Sequence, residues 1–143
     1  MNKYDKIKLE NQLCFPLYAL SREIIKLYKP LLDKFNLTYT QYITMLVMWE
    51  DEKITFKKLG KRLYLDSGTL TPVLKRLESM GLITKYRTEE DDRVVAIELT
   101  EKGRTLKDDI VEVPEKMFCK SKLTKEEAID LKVKLDTMLK RFR

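Results

Sequence analysis

Two cysteines, Cys14 and Cys119, and a complete lack of histidine bound the chemistry open to this chain of 143 residues. Without histidine the commonest general base and metal ligand is missing, and two thiols do not complete a four-ligand zinc site. Triad catalysis, metal-assisted hydrolysis, a bound metal and a cofactor are therefore not expected. A cysteine thiolate is a nucleophile and a reductant, and it can pass through a sulfenic acid to a disulfide. The plain alternative for Cys14 is a small apolar side chain beside Leu13 and Leu17, and for Cys119 a packing or incidental exposed residue.

A second set of side chains suits a polyanion. Ser67, Gly68 and Thr69, followed by Thr71, Lys75 and Arg76, are small, hydroxylated or basic groups lying off an apolar stripe. Small residues let a helix N-terminus approach phosphates, and the hydroxyl and basic groups supply donors to phosphates and base edges. Further on, Arg87 and Arg93 share a turn with Glu89, Glu90, Asp91 and Asp92. Those carboxylates would repel DNA unless they hold an arginine in place, and Asp91 with Arg93, two residues apart, is the candidate pair. An arginine so presented suits a narrow minor groove. The competing readings are an ordinary solvated helix face and a salt-bridged turn. Lysine and arginine total 29 against 23 acidic residues, a formal net charge of +6, which agrees with a nucleic-acid partner without requiring one.

The elements that would position these groups follow from periodicity and caps. Leu13, Leu17, Leu20, Ile24, Leu27 and Leu31 alternate steps of four and three, which predicts a long amphipathic helix between residues 9 and 35 that wants a partner helix. Pro16 conflicts with a helix entering from residue 9: either the helix starts later or it kinks beside Cys14. Thr38 to Gln41 has the capping-box form and opens a helix through Tyr42, Leu46 and Trp49 to about Glu52. Thr55 caps a short helix carrying Phe56, Leu59 and Leu63. Asp66 or Ser67 caps the next, where Leu70, Val73, Leu74 and Leu77 keep helical spacing until Gly81 ends it.

After Gly81 the period changes to two, from Leu82 to Arg87 and again over Val95, Ile97 and Leu99, which predicts a β-hairpin with a charged tip. Thr100 opens another helix that Pro114 kinks or ends, and Thr124 with Glu127 caps a last helix whose apolar face is Leu131, Leu135, Met138, Leu139 and Phe142. The fold class expected is mainly α with a small β-hairpin, a winged helix-turn-helix, with its second helix in a major groove. No apolar run approaches the roughly 20 residues of a membrane span, so a cytoplasmic protein with reduced thiols is expected.

The stretch Leu65-Asp66-Ser67-Gly68-Thr69-Leu70-Thr71-Pro72-Val73-Leu74-Lys75-Arg76-Leu77-Glu78, with Gly81-Leu82-Ile83, Asp91-Asp92-Arg93 and Leu99 to Gly103, resembles the multiple-antibiotic-resistance-regulator (MarR) family. Within it, Leu13-Cys14-Phe15, Tyr28 to Leu32 and Leu37 to Tyr42 are similar to the organic hydroperoxide resistance regulators. The resemblance runs from about residue 9 to 107.

It implies a repressor and not an enzyme, a homodimer whose wings and recognition helices grip an AT-rich inverted-repeat operator in double-stranded DNA. A single domain over 1–143 is expected, with residues 9–35 and 104–143 as dimerisation helices and 36–103 as the winged helix-turn-helix lobe. The resemblance assigns Cys14 as the sensor of organic hydroperoxide and gives Tyr28 and Tyr39 the role of donating hydrogen bonds to its thiolate. In the two-cysteine type a cysteine near the start of the last helix of the other subunit traps the sulfenic acid, and Cys119 is the candidate, a small cellular thiol being the alternative. If Cys14 and Tyr28 share one straight helix, about 21 Å of axial rise separates them, so their contact requires the neighbouring chain. The other regulator reading has a small aromatic ligand held non-covalently near Tyr39, Tyr42 and Trp49. A thiol peroxidase is disfavoured, because Cys14 lacks a Thr-x-x-Cys neighbourhood and the chain has no thioredoxin-like α/β pattern.

Overall fold

The computed structural model describes residues 2–142. After two short 3-10 turns, Lys3–Ile7 and Leu9–Asn11, the first α-helix, α1, spans Cys14–Leu32. It is followed by α2 (Tyr39–Asp51), β1 (Lys53–Thr55), α3 (Phe56–Leu63), α4 (Ser67–Ser79), β2 (Ile83–Arg87) and β3 (Val95–Leu99). Helices α5 (Glu101–Ile110), α6 (Val113–Ser121) and α7 (Lys125–Leu139) complete the order. Among the described residues no helix is long and apolar enough to cross a membrane.

Of the two outcomes that Pro16 left open, the later start holds: the first helix begins at Cys14, so Pro16 falls in its first turn, where its missing N–H has no intrahelical partner to lose. The residues before it instead close on themselves, with the Gln12 amide donating to the carbonyls of Lys6 and Lys8. The helix expected from Thr100 is interrupted ahead of Pro114, which sits in the first turn of α6.

The expected hairpin forms, with Ile83 facing Leu99 and Arg87 facing Val95, but the sheet has a third strand. Its order is β1-β3-β2, and β1 pairs antiparallel to β3 with Ile54 opposite Ile97. Three residues carry too little alternation to announce a strand, and β1 exists because β3 supplies its hydrogen-bond partners.

The chain divides into two compact units, Tyr28–Val113 and Met1–Leu27 with Pro114–Arg143. In the first, Leu32, Met45, Met48, Leu59, Leu70, Leu74, Leu77, Ile83 and Ile97 are fully buried and form the core beneath the sheet and helices. On α2 the buried face is Tyr42, Met45 and Met48, while Leu46, expected on it, is exposed. Thr44 is also buried, and its hydroxyl donates to the Thr40 carbonyl at 2.8 Å, so no polar group is stranded there.

In the second unit the apolar stripes meet solvent. Phe15, Leu17 and Leu20 on α1 are exposed, and so are Ile129, Val133, Leu135, Met138 and Leu139 on α7, a helix with no buried residue. Its Thr124–Glu127 capping box is complete, so α7 is a well-specified helix whose apolar side chains are left exposed by the single chain.

Candidate nucleic-acid interface and thiol positions

The Thr55 hydroxyl accepts the Lys58 N–H and starts α3. Asp66, rather than Ser67, caps α4: its Oδ1 accepts the Thr69 N–H at 2.8 Å. Ser67, Gly68 and Thr69 thereby make up the exposed first turn of α4. A Cβ added at Gly68 would meet nothing nearer than Asp66 Oδ1 at 3.4 Å, so glycine there leaves the helix start low and open. Pro72 has no N–H for the Gly68 carbonyl, which removes one rung of the helix just above that turn. The Thr71 hydroxyl donates to the Ser67 carbonyl at 2.7 Å, and Thr71, Lys75 and Arg76 are exposed.

The C-terminal end of α4 is anchored as firmly as its start. Gly81, at φ 76°, turns the chain out of the helix. The Thr100 hydroxyl donates to the Gly81 carbonyl at 2.6 Å and the Lys102 ammonium to the Met80 carbonyl at 2.9 Å. Gly103 is required by packing: a Cβ there would lie 2.3 Å from the Leu82 carbonyl oxygen. The Gly103 carbonyl accepts the Trp49 indole N–H at 2.9 Å, and Arg104 pairs with both Glu52 and Glu101, so α2, α4 and α5 meet at one junction.

The wing tip is a closed turn. The Thr88 hydroxyl donates to the Asp91 carbonyl and accepts the Asp91 N–H, and the Arg87 guanidinium donates to the Asp92 carbonyl at 2.9 Å. The expected pair of Asp91 and Arg93 is formed in a forked geometry, Nε to Oδ1 at 3.1 Å and Nη2 to Oδ2 at 3.2 Å. The side-chain bond from Arg93, then its backbone N–H, hold the Asp91 carboxyl below the usual carboxylate range. Arg93 itself remains 90% exposed, splayed from the tip.

Cys14 is the first residue of α1, and Cys119 lies toward the end of α6, not at the start of the last helix. Both are exposed free thiols. Tyr28 and Tyr39 come together, their ring centroids 4.8 Å apart at 56°. Sequence reasoning placed Tyr42 only in the alternative ligand pocket, yet it belongs with them, 5.8 Å from Tyr28 and 6.4 Å from Tyr39. Its position three residues after Tyr39 on one helix was the available signal. Burial, with Tyr39 and Tyr42 adding to it, pushes the Tyr28 phenol up to about 12, and burial raises Tyr39 and Tyr42 as well, so all three keep a hydroxyl proton to donate. Trp49, also placed in that pocket reading, has its N–H committed to Gly103.

Comparison with known proteins gives this geometry a family. A profile described as transcriptional regulator SarA/Rot matches residues 26–110. The organic hydroperoxide resistance transcriptional regulator of Bacillus subtilis is 57% identical over 96% of this chain and 94% of its own length. Two structures of AbfR, a protein of Staphylococcus epidermidis, are also similar. Reduced AbfR bound to DNA is 35% identical with a TM-score of 0.78 over 99% of both chains. Disulfide-formed AbfR is 34% identical with a TM-score of 0.66 over 96% of both. The chain belongs to the SarA/Rot transcriptional regulators, a group the motifs did not name, within the winged helix-turn-helix fold of the MarR family, which they led one to expect.

Proposed function

We propose that the protein is a dimeric DNA-binding repressor that releases its operator when an organic hydroperoxide oxidises Cys14. The observation that carries the DNA-binding part is the open first turn of α4, held by Asp66 and followed by exposed Lys75 and Arg76, in one unit with a hairpin that presents Arg93. Ser67, Gly68, Thr69 and Thr71 approach the backbone and base edges of a major groove, and Arg93, held by Asp91, enters the adjoining minor groove. The exposed apolar stripes of α1 and α7 are the faces a second copy covers.

In the sensing step the Cys14 thiolate attacks the hydroperoxide O–O bond. The sulfur gains one oxygen and becomes a sulfenic acid, while the peroxide leaves as the alcohol, taking up a proton. A second thiol then attacks the sulfenic sulfur, forming a disulfide and releasing water. Cys119 of the other subunit is the proposed second thiol, with a small cellular thiol as its substitute. Positions 14 and 28 both fall on α1, about 21 Å of helix apart, so the Tyr28 and Tyr39 hydroxyls reach a thiolate belonging to the neighbouring chain. Oxidation releases DNA only if the oxidised dimer binds operator more weakly than the reduced one.

The test is operator binding by fluorescence anisotropy at fixed salt, before and after one equivalent of cumene hydroperoxide, for wild type, Cys14→Ser and Cys119→Ser. Loss of binding in wild type, restored by dithiothreitol and absent in Cys14→Ser, is the expected result. Retained binding in oxidised wild type refutes the switch and leaves the DNA-binding reading intact.

A further inference from the structure

Glu52 caps the C-terminal end of α2 and leads directly into β1, and its backbone is strained. At φ 57° and ψ −31° it lies outside the left-handed well that Asn36, at φ 57° and ψ 35°, and Tyr64, at φ 56° and ψ 36°, both occupy. A residue with a side chain stays in such a conformation only where its surroundings over-determine it. Three groups of Glu52 are held. Its N–H donates to the Met48 carbonyl at 2.8 Å, and its carbonyl accepts the Leu99 N–H at 2.8 Å, one rung beyond the Lys53–Glu98 pair of the sheet. Its carboxylate accepts from the Arg104 guanidinium, Nε at 2.9 Å and Nη2 on the same oxygen, while Arg104 Nη1 donates to Glu101.

We infer that Arg104 and Glu52 are positioning residues for DNA binding: their ion pair holds the strained corner between α2 and β1 and thereby aims the wing arginine, Arg93, with neither of the pair touching DNA. Leu99 ends β3, the strand that comes down from the wing tip, so Glu52 holds the base of the arm that carries Arg93. That arm is up to about 20 Å long at the rise of a strand, and a tilt of about 5° at its base displaces the tip by about 2 Å, enough to break a hydrogen bond. On the β2 side the same end of β3 is held by the Thr100 N–H on the Leu82 carbonyl at 3.1 Å. When the carboxylate is freed, Glu52 relaxes toward the populated well and the strand pivots about that second hold. The inference rests on the DNA-binding reading above and extends it to residues remote from the recognition helix and the wing tip.

The test is a mutant cycle on binding to a fluorescein-labelled, AT-rich 30-base-pair duplex, measured by anisotropy at fixed salt. Arg104→Ala and Glu52→Ala both break the pair, and alanine at position 52 keeps the Cβ that makes the positive φ costly. The two change the net charge in opposite directions, so a charge effect alone weakens binding in the first and strengthens it in the second. Positioning weakens both, by about three- to ten-fold, a partial loss of one charge-assisted contact. In an Arg93→Ala background no wing arginine remains to be aimed, and each substitution changes affinity less than about two-fold. Amide hydrogen exchange quickens over residues 95–99 in both variants and keeps the wild-type rate over 70–77 in α4, which separates a tilted wing from general loosening. Wild-type affinity in either variant, effects of opposite sign, an undiminished loss in the Arg93→Ala background, or unchanged exchange over 95–99 overturns the inference while DNA binding stands. Wild type that fails to bind the duplex at all removes the DNA-binding reading, and the inference with it.

Discussion

Two glycines in the same lobe answer opposite questions, and alanine at each separates the scaffold from the surface. At Gly103 an added Cβ meets the Leu82 backbone oxygen at 2.3 Å and Leu99 Cδ1 at 2.7 Å. Carbon and oxygen need about another 1 Å, and the obstructing atom is main chain at the entry to β2. Overpacking of this kind costs about 3 kcal/mol, offset by about 0.5–1 kcal/mol that alanine gains over glycine in a helix. The net of about 2 kcal/mol lowers the melting temperature of Gly103→Ala by about 6 °C. At Gly68, among the described residues beyond its own helix backbone, an added Cβ meets Asp66 Oδ1 at 3.4 Å, an ordinary contact, so Gly68→Ala melts at or slightly above wild type. The same methyl holds a phosphate off the helix start, and losing one charge-assisted contact costs about 1–2 kcal/mol, a five- to thirty-fold weakening of DNA binding. Differential scanning fluorimetry and duplex anisotropy on both variants decide the matter. Gly103→Ala with a wild-type melt refutes the close approach of α5 to Leu82, and Gly68→Ala with wild-type affinity refutes the docking of the α4 N-terminus.

Tyr28 supplies a prediction in alkali. Because burial raises its folded pKa to about 12, the unfolded chain loses this proton first, so the stability it contributes is complete below pH 10 and is lost as pH rises toward 12. Phenolate absorbance at 295 nm shows a late component near pH 12 that Tyr28→Phe removes; a titration finished by pH 11 would contradict the buried cluster. Thr38→Ala breaks one half of the α2 capping box, since no hydroxyl remains to accept the Gln41 N–H, while the backbone N–H at position 38 still donates to Gln41 Oε1. Its cost of about 1 kcal/mol appears as a lower urea midpoint at constant m-value. Asp91→Asn removes the carboxylate that forks Arg93 and weakens duplex binding, yet leaves the salt slope at the wild-type value, because the count of basic groups on the DNA is unchanged. A changed slope would assign Asp91 a different role.

Local rules carried most of the lobe. Thr38, Thr55, Asp66, Thr100 and Thr124 are side-chain caps that specify helix starts from four adjacent residues, and each caps a helix in the structure. Gly81 and the change to period two located the hairpin, and the two-residue spacing of Asp91 and Arg93 sufficed for their pair. What escaped was set by distant partners. Strand β1 is three residues long and depends on β3, more than forty positions away in the chain. Leu46 keeps helical spacing with Tyr42 yet faces solvent, because the core selects the Met45 and Met48 side of α2. The third tyrosine was visible as a residue but not as a member of the cluster, since only the packing of α2 near the end of α1 brings the rings together. The start of α1 was legible only as a choice between a later start and a kink, because the apolar stripe alone does not say which side of Pro16 the helix begins on.

The junction of α2 and α5 also contains the chain's single tryptophan, whose indole N–H is bound to the Gly103 carbonyl. Indole emission shifts when that hydrogen bond is exchanged for water, so the molecule carries an intrinsic optical gauge of this seam. A change in the seam on DNA binding or on oxidation can be followed in stopped flow with neither a dye nor an engineered label, and with no second tryptophan to blur the signal.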